Sequence, residues 1–382
     1  MLNMCGFLFV LFAAFLNDMG LSGTQISFVA ITYAASQAIL EIPTGALADK
    51  FGRKNVLIFE KITKIISLSI LLFANNFYGY LISAFLTGLA DSLQSGTIEA
   101  LMYDNMKFFK MEKSYAEHSG KSNACANVAY AVVAFLTAYI VSFGYNYLII
   151  ATIIPVIIAL LVLITLKDEY HYSTKHNKKD YLKILNKGVR YSFQHRIIFK
   201  FLLFWCLGYV IHRKIIHDFY SIFLFELTHN TARTAFLIGI TTIASAVGKF
   251  TLVKYLSQIK LQNILIFISC ASLCFLISSM IFSFYISFAL AVIYWGTTTT
   301  INTVLKAKQQ SFTPSRYRST ITSMRSFCCG GTGIIFVLLF GVLSDAFSYQ
   351  TGFIIFSAYQ LVIYLVFVFV LGKDKHFHKN SK

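Results

Sequence analysis

The stretch Gly45-Ala46-Leu47-Ala48-Asp49-Lys50-Phe51-Gly52-Arg53-Lys54 decides the fold, because it forms a short charged segment between two apolar runs. The runs, residues 25–47 and 56–74, are each long enough to cross a bilayer core, which takes about 20 apolar residues. Glycine tolerates positive φ angles and close approach, so Gly45 and Gly52 suit a sharp turn between antiparallel helices. The basic residues of the stretch are those that membrane proteins keep on the cytoplasmic side. The sequence therefore predicts two membrane helices joined by a cytoplasmic turn.

The composition excludes a water-soluble protein. The chain has 382 residues, of which 57% are hydrophobic, and its mean hydropathy is +0.67. This length holds about a dozen membrane spans with short connections. A formal charge of +17 would suggest a nucleic-acid partner for a soluble chain. Here most of the basic residues lie between the apolar runs, so we expect no nucleic-acid partner.

The reactive residue types do not form a catalytic pattern in this sequence. The seven cysteines all fall inside predicted spans without metal-ligand spacing, and we interpret them as small packing residues. The histidines are scattered or adjacent to cations, and no Ser/His/Asp arrangement or phosphate-binding loop is recognisable. We therefore expect no enzyme activity, no metal site and no cofactor.

Twelve apolar runs are the predicted spans. They are residues 2–20, 25–47, 56–74, 77–99, 123–143, 147–166, 198–221, 234–253, 261–282, 285–305, 320–343 and 350–371. Alternate connections on one side of these spans hold 25 Lys and Arg residues, and those on the other side hold only Arg233. By the positive-inside rule, we expect both termini to be cytoplasmic.

The longest polar stretch, residues 167–197, divides the spans into two groups of six. We expect an N-terminal six-helix bundle over 1–166, a cytoplasmic linker over 167–197, a C-terminal six-helix bundle over 198–371 and a cytoplasmic tail over 372–382. The basic linker suits the anionic inner leaflet of the membrane. Membrane lipid is therefore an expected partner.

Several stretches together resemble the major facilitator superfamily. Residues 45–54 match its loop signature, Gly-x-Leu-Ala-Asp-[Arg/Lys]-x-Gly-[Arg/Lys]-[Arg/Lys], at every specified position. Residues 95–104, Ser-Gly-Thr-Ile-Glu-Ala-Leu-Met-Tyr-Asp, are similar to a motif of one bacterial branch, and residues 314–320 and 341–345 resemble the two ends of its eleventh helix. The resemblance implies an all-α integral membrane protein of two six-helix bundles related by a pseudo-two-fold axis. It also implies a protein of the cytoplasmic (inner) cell membrane that moves a small-molecule substrate by alternating access. We expect a monomer.

The resemblance assigns roles on the cytoplasmic side. In the family, the equivalent of Asp49 contacts the eleventh helix when the transporter is open outward, so the loop signature is expected to control conformational switching. The switch residues are Gly45, Asp49, Gly52, Arg53 and Lys54. The cytoplasmic gate candidates are Glu99, Asp104, Arg318 and Asp345.

Two carboxylates inside predicted spans are candidates for proton coupling, because charges within a membrane are costly and tend to be functional or paired. Asp91 lies on a small polar face of the fourth span, and Glu41 is the only charge in the second. The alternative for Asp91 is a structural carboxylate bonded to neighbouring hydroxyls, and the residues leave both open. In the third span, Glu60 and Lys64 are expected to pair at i, i+4.

The seventh predicted span contains the charged run His212-Arg213-Lys214-Ile215-Ile216-His217-Asp218. Lys214 can pair with Asp218, and Arg213 shares another helix face with His217. The remaining cation either meets a carboxylate such as Asp91 or binds an anionic substrate group, and we favour the substrate role. Other polar residues are cavity candidates or hydrogen-bonding contacts between helices. They are Asn123, Asn127, Thr241, Ser245, Lys249, Tyr294, Thr298 and Asn302.

Two features depart from the drug exporters of the family. Residues 81–95 of the fourth span contain no basic residue, and residues 123–143 contain neither Pro nor Gly. Both weaken a drug/proton antiporter assignment. We expect proton-coupled export (efflux) of a small solute. The alternatives are proton-coupled uptake of an anionic metabolite, suggested by Arg213 and Lys214, and a transporter-derived membrane scaffold or sensor.

Overall fold

The computed structural model describes residues 6–95, 97–108, 115–165, 190–281, 283–313 and 318–372, and no strand occurs among them. The earlier helices are α1 (Phe7–Asp18), α2 (Gly23–Phe51), α3 (Arg53–Phe73), α4 (Phe77–Gln94), α5 (Thr97–Phe108), α6 (Tyr115–Ile140) and α7 (Tyr145–Thr165). The later ones are α8 (Arg196–Leu203), α9 (Tyr220–Thr228), α10 (Thr231–Gln258), α11 (Leu261–Met280), α12 (Phe284–Ser311), α13 (Arg318–Ala346) and α14 (Tyr349–Gly372). Among these described helices, six are long and apolar enough to cross a membrane, namely α7 and α10 to α14. The all-α expectation is confirmed.

The chain divides into two compact units. The first unit is Met1–Lys175 with Thr231–Phe236, and the second is His176–Asn230 with Leu237–Lys382. Most of the predicted linker, residues 167–189, and the predicted tail from residue 373 lie outside the described residues. The bundle and linker boundaries therefore stay predictions.

The loop signature is tighter than the sequence indicated. Helix α2 continues to Phe51 and α3 begins at Arg53, so only Gly52 separates them. Gly52 has φ +86°, a left-handed conformation that glycine adopts without the steric cost of a Cβ. Gly45, by contrast, lies inside α2, and the turn that was expected over residues 48–55 is one residue long.

The first unit is held together by close packing of α4 on both α2 and α3. A Cβ on Gly88 of α4 would clash with Ser36 Oγ and come within 2.5 Å of the Tyr33 carbonyl oxygen in α2. On the α3 side, Ser67 Oγ is 2.7 Å from Thr87 Oγ1 and 3.1 Å from Ser83 Oγ. Small residues and buried hydroxyls are the means by which membrane helices approach closely.

The seventh predicted span is not a regular α-helix. It consists of α8, a π turn at Phe204–Tyr209, a second π turn at His212–Ile216, and α9. The backbone N–H of His217 donates to the carbonyl oxygen of His212 at 2.8 Å, which is the i to i+5 bond of a π turn. Such turns are rare and occur frequently at functional sites.

Aromatic side chains fill the core of the second unit. Phe204 stacks on Tyr364 with ring centroids 5.3 Å apart, and both are buried. A Cβ on Gly208 would lie 2.7 Å from the Tyr364 ring, so the first π turn approaches α14 as closely as glycine allows. Helix α11 packs on α12 and α14 beside this cluster. The broken span is thus fixed against rigid neighbours.

Several further boundaries differ from the prediction, among them those of the fourth and tenth spans. The fourth span was expected over 77–99, but α4 ends at Gln94 and a separate helix, α5, begins at Thr97. The tenth was expected to end at residue 305, but α12 continues to Ser311. Lys306, which the sequence placed in a cytoplasmic connection, therefore lies within a helix.

Candidate functional site

The charged residues of the first unit form an ion cluster on α2, α3 and α4. Lys64 Nζ donates to Asp91 Oδ1 at 2.9 Å, and the Tyr33 hydroxyl donates to Asp91 Oδ2 at 2.8 Å. The side chains of Lys64 and Asp91 are only 11% and 22% exposed. The same ammonium group lies 5.0 Å from the centre of the Phe9 ring in α1. Each oxygen of the Asp91 carboxylate therefore has its own donor within the unit.

A second pair completes this ion cluster. Lys61 Nζ lies 2.6 Å from Glu60 Oε2, and both side chains are almost fully buried. The expected i, i+4 pair of Glu60 with Lys64 is replaced by these two pairs, because α4 brings Asp91 to Lys64. We define the first-unit ion cluster as Glu60, Lys61, Lys64 and Asp91; its formal charges sum to zero.

The chemistry of Asp91 follows from its two donors. A carboxylate paired with an ammonium in a poorly solvated site is stable only while both are charged, since removing one charge strands the other. Protonation of Asp91 would weaken the bond to Lys64 and leave the Lys64 cation without its partner. One proton thus changes the interaction that joins α3 to α4.

Glu41 sits apart from the ion cluster. Its Oε1 accepts from the Ser95 hydroxyl at 3.1 Å, and both residues are exposed. One turn further along α2, Thr44 Oγ1 donates to the Ser92 carbonyl oxygen at 3.1 Å. Both bonds tie α2 to the end of α4, so Glu41 links two helices at the point where α4 ends.

The charged run of the seventh span lies at the second π turn. Asp218 Oδ1 is 2.9 Å from His217 Nδ1, and Asp218 Oδ2 is 3.7 Å from Lys214 Nζ. Arg213 Nη1 lies 3.4 Å from His217 Nε2. The expected Lys214–Asp218 pairing is present at a long distance, and His217 shares the carboxylate. A Cβ on Gly333 of α13 would lie 3.0 Å from Lys214 Cγ, so that glycine makes room for the Lys214 stem.

A buried polar chain runs from the π turn to α14. His212 Nδ1 is 2.8 Å from the Tyr294 hydroxyl, which donates to Gln360 Oε1 at 3.1 Å. Gln360 Nε2 in turn donates to the Tyr364 hydroxyl at 3.1 Å and to the Gly208 carbonyl oxygen at 3.4 Å. Because Tyr294 gives its proton to Gln360, it accepts the N–H of His212. Tyr294, a predicted cavity residue, is fully buried and joins the seventh span to α12 and α14.

An aromatic stack lies beside the charged run. The His217 ring is parallel to Trp295 at 5.4 Å, and the Tyr220 ring is stacked on Trp295 at 4.4 Å. Neither Trp295 nor Tyr33 was singled out from the sequence, because aromatic residues make up 16% of this chain and single ones do not stand out. Gln360 was also missed. A polar amide side chain within the apolar run 350–371 was the feature that could have indicated it.

Some predicted site residues cannot be placed by their side chains. Arg53 and Lys54 are described, and Lys54 Nζ donates to the Ile164 carbonyl oxygen at 3.1 Å. Asp345 is exposed near the end of α13. For Asp49, Glu99, Asp104, Asn127 and Arg318, the side chains lie outside what the structure describes. The switch and gate roles therefore stay predictions. Within the described residues, no group of three or more His, Cys, Asp and Glu side chains could hold a metal.

Comparison with known proteins adds a family match. The family model described as Major Facilitator Superfamily matches residues 1–335. A relative named as an uncharacterized transporter of Buchnera aphidicola subsp. Schizaphis graminum (strain Sg) is 26% identical over 177 residues. That alignment covers 45% of this chain and 42% of the relative, so it spans less than half of the relative's length.

Solved structures share the fold along almost the whole chain. The crystal structure of the nucleoside transporter NupG has a TM-score of 0.77 at 15% identity and covers 97% of both chains. A bacterial homologue of the human lysosomal transporter Spinster has a TM-score of 0.77 at 14% identity, covering 97% of this chain and 94% of its own. A D-xylose-proton symporter has a TM-score of 0.71 at 12% identity, covering 96% and 95%. At these identities the likeness establishes the fold alone.

Proposed function

The chain belongs to the major facilitator superfamily and is a multi-pass membrane transporter of the secondary type, and we propose that it couples the movement of a small solute to a proton carried by Asp91. The observation that supports this role is the pairing of Asp91 with Lys64 and Tyr33 inside the first unit. A carboxylate in a membrane helix is costly and is retained where it is paired or functional.

The proton acts on the helix contacts of the first unit. With Asp91 charged, its carboxylate joins α4 to both α2 and α3. With Asp91 protonated, the Lys64 ammonium loses its counter-charge, and the α3–α4 contact is weakened. Protonation of Asp91 then favours a conformation in which Lys64 has another acceptor. A proton can shift a conformational equilibrium only if it binds one conformation better than the other, and this pairing provides such a difference.

We propose export as the direction, with uptake of an anionic metabolite as the second candidate. The distribution of basic residues supports cytoplasmic termini and an inner-membrane location. The cations of the seventh span favour the uptake candidate, because they suit a substrate with a negative group. Both candidates move a proton through Asp91 but in opposite directions relative to the solute. The sign of the pH change that accompanies solute entry therefore distinguishes them.

Proton movement in liposomes tests the proposal. The purified protein is reconstituted with a pH-sensitive dye inside, and uridine, D-xylose, succinate or inorganic phosphate is added outside as a radiolabelled solute. Symport acidifies the lumen as the solute enters, whereas antiport makes it more alkaline. Asp91→Asn should abolish the pH change, because an amide cannot carry the proton. Glu226→Gln, which changes an exposed carboxylate of α9, is the matched control and should behave as the wild type.

The outcomes separate the alternatives. Solute flux with no pH change would remove the proton role of Asp91 and leave a uniporter. An undiminished pH change in Asp91→Asn would move the proton site elsewhere. If a folded preparation moves none of the four solutes, the scaffold or sensor alternative gains support.

A further inference from the structure

We propose that Arg213, Lys249, Lys306 and Arg325 form an anion-binding site in the second unit, which takes the carboxylate or phosphate group of the transported solute. We call these four residues the cation cluster. The inference rests on the proposed transport function and names its substrate class. It differs from the expectation for Arg213 and Lys214, because three other helices contribute a cation each.

The four cations lie on four different elements. Lys249 is on α10, Lys306 on α12 and Arg325 on α13, while Arg213 is in the second π turn. Lys306 lies within electrostatic reach of Arg325, Arg213 and Lys249. Lys249, Lys306 and Arg325 each fall inside a helical stretch apolar enough to span a membrane. Each lies within four residues of one end of its stretch.

Close packing of α10 on α12 brings Lys249 near Lys306. A Cβ on Gly248 would lie 2.6 Å from Thr300 Oγ1 and 3.2 Å from the Gly296 carbonyl oxygen. One turn earlier, Ser245 Oγ is 2.9 Å from Thr299 Oγ1. Since Lys249 directly follows this contact, its backbone is held beside α12.

Arg325 is positioned by neutral groups. Its Nη1 donates to Gln309 Oε1 at 3.2 Å, and its guanidinium lies 5.0 Å from the centre of the Trp205 ring. Trp205 Nε1 donates to the same Gln309 oxygen at 2.8 Å. An amide and an aromatic ring orient the guanidinium and leave its full positive charge available to a ligand.

The protein supplies few counter-charges here. Between Glu226 and Asp345 the sequence contains no Asp or Glu. Asp218 lies within electrostatic reach of Arg213, but it is already in contact with His217 and Lys214. Arg213, Lys249 and Lys306 are exposed, and cations exposed within a membrane span face water or a ligand, because lipid would not solvate them. An anionic solute provides the missing charge.

The helix α12 carries a polar row towards the cluster. Tyr294, Thr298, Asn302 and Lys306 follow one another at intervals of four, so they share one face. Among the described residues, Asn302 Oδ1 is buried without a hydrogen-bond partner. The row therefore places an acceptor with an unmet hydrogen bond one turn before Lys306.

Thermal melting of the purified protein tests the site without a gradient. Melts are recorded in inorganic phosphate and in succinate, each against sodium chloride of equal ionic strength. A ligand that binds only the folded state raises the Tm, so we expect a rise for the wild type in at least one anion. Lys306→Gln and Arg325→Gln should lose most of that rise. Lys306→Arg should keep it, and Lys260→Gln, which removes an exposed cation at the start of α11, should match the wild type.

The result identifies the chemistry or removes the site. A rise in phosphate alone assigns a phosphate group, a rise in succinate alone assigns a carboxylate, and a rise in both supports anion binding in general. If neither anion raises the Tm of the wild type, the proposal is overturned. It is also overturned if Lys306→Gln and Arg325→Gln keep the full rise; should either fail to fold, Lys249→Gln takes its place. These melts measure anion binding and not proton coupling. The result for Asp91→Asn therefore does not decide whether the anion site exists, and each proposal can be refuted without the other.

Discussion

The two units treat charge in opposite ways. In the first unit, Lys64 and Asp91 pair at 2.9 Å and Lys61 and Glu60 at 2.6 Å, so the ion cluster is neutral. In the second, no Asp or Glu lies between Glu226 and Asp345, the stretch that carries three of the four cluster cations, and Asp218 is already shared by His217 and Lys214. The first arrangement is satisfied within the protein, whereas the proposed second one requires the negative group of a bound solute. A neutral cluster is suited to a proton and a positive one to an anion.

Removal of a first-unit cation should produce the largest effect. Lys64→Gln strands the Asp91 carboxylate, and breaking a buried pair costs about 3–5 kcal/mol. Because the pair is 11% and 22% exposed, we expect the lower end of that range, measured as a fall in Tm of the purified protein. The double variant Lys64→Gln/Asp91→Asn should recover most of the loss. A single variant as stable as the wild type would mean that the ion cluster contributes no net stability.

A variant that widens the spacing between α2 and α4 should lower the Tm by an intermediate amount. Gly88→Ala puts a methyl group against Ser36 and the Tyr33 backbone, and overpacking of this kind costs about 1–3 kcal/mol. It should also lengthen the Tyr33–Asp91 hydrogen bond and lower the rate of solute-driven pH change. Gly330→Ala in α13 is the control, since nothing lies within 4 Å of its added Cβ. Equal melting of both variants would show that α2 can move away from α4 without cost.

Removal of a second-unit cation should produce the smallest change in Tm. The Tm should rise, whereas the two changes in the first unit lower it. Without an added anion, Lys306→Gln relieves repulsion from Arg325, Arg213 and Lys249, so the Tm at low salt should rise slightly. The rise should shrink as salt is added, because exposed charges are screened. A fall in Tm as large as that of Lys64→Gln would indicate a hidden counter-charge and end the contrast between the units.

Sequence patterns identified the family and fold class, but they did not predict which residues the charged side chains contact. The apolar runs and the signature at 45–54 predicted helices and a tight turn, and Gly52 provides that turn. Asp91 was recognised, but its cation was not, because Glu60 and Lys64 have an i, i+4 spacing that fits a pair within one helix. Only the packing of α4 on α3 shows that Lys64 is nearer to Asp91. The chain from His212 through Tyr294 to Gln360 joins three separate elements, and no local spacing encodes it.

The two π turns of the seventh span have a consequence for evolution. An α-helix has 3.6 residues per turn, so each additional residue rotates whatever follows by about 100°. Each π turn is geometrically equivalent to one residue added to a regular helix, one in Phe204–Tyr209 and one in His212–Ile216. Deletion of a single residue from the second turn would restore α-helical geometry and turn Arg213 or its neighbours to another face. A change of solute could therefore arise in this lineage by the gain or loss of one codon, without any substitution in the binding residues themselves.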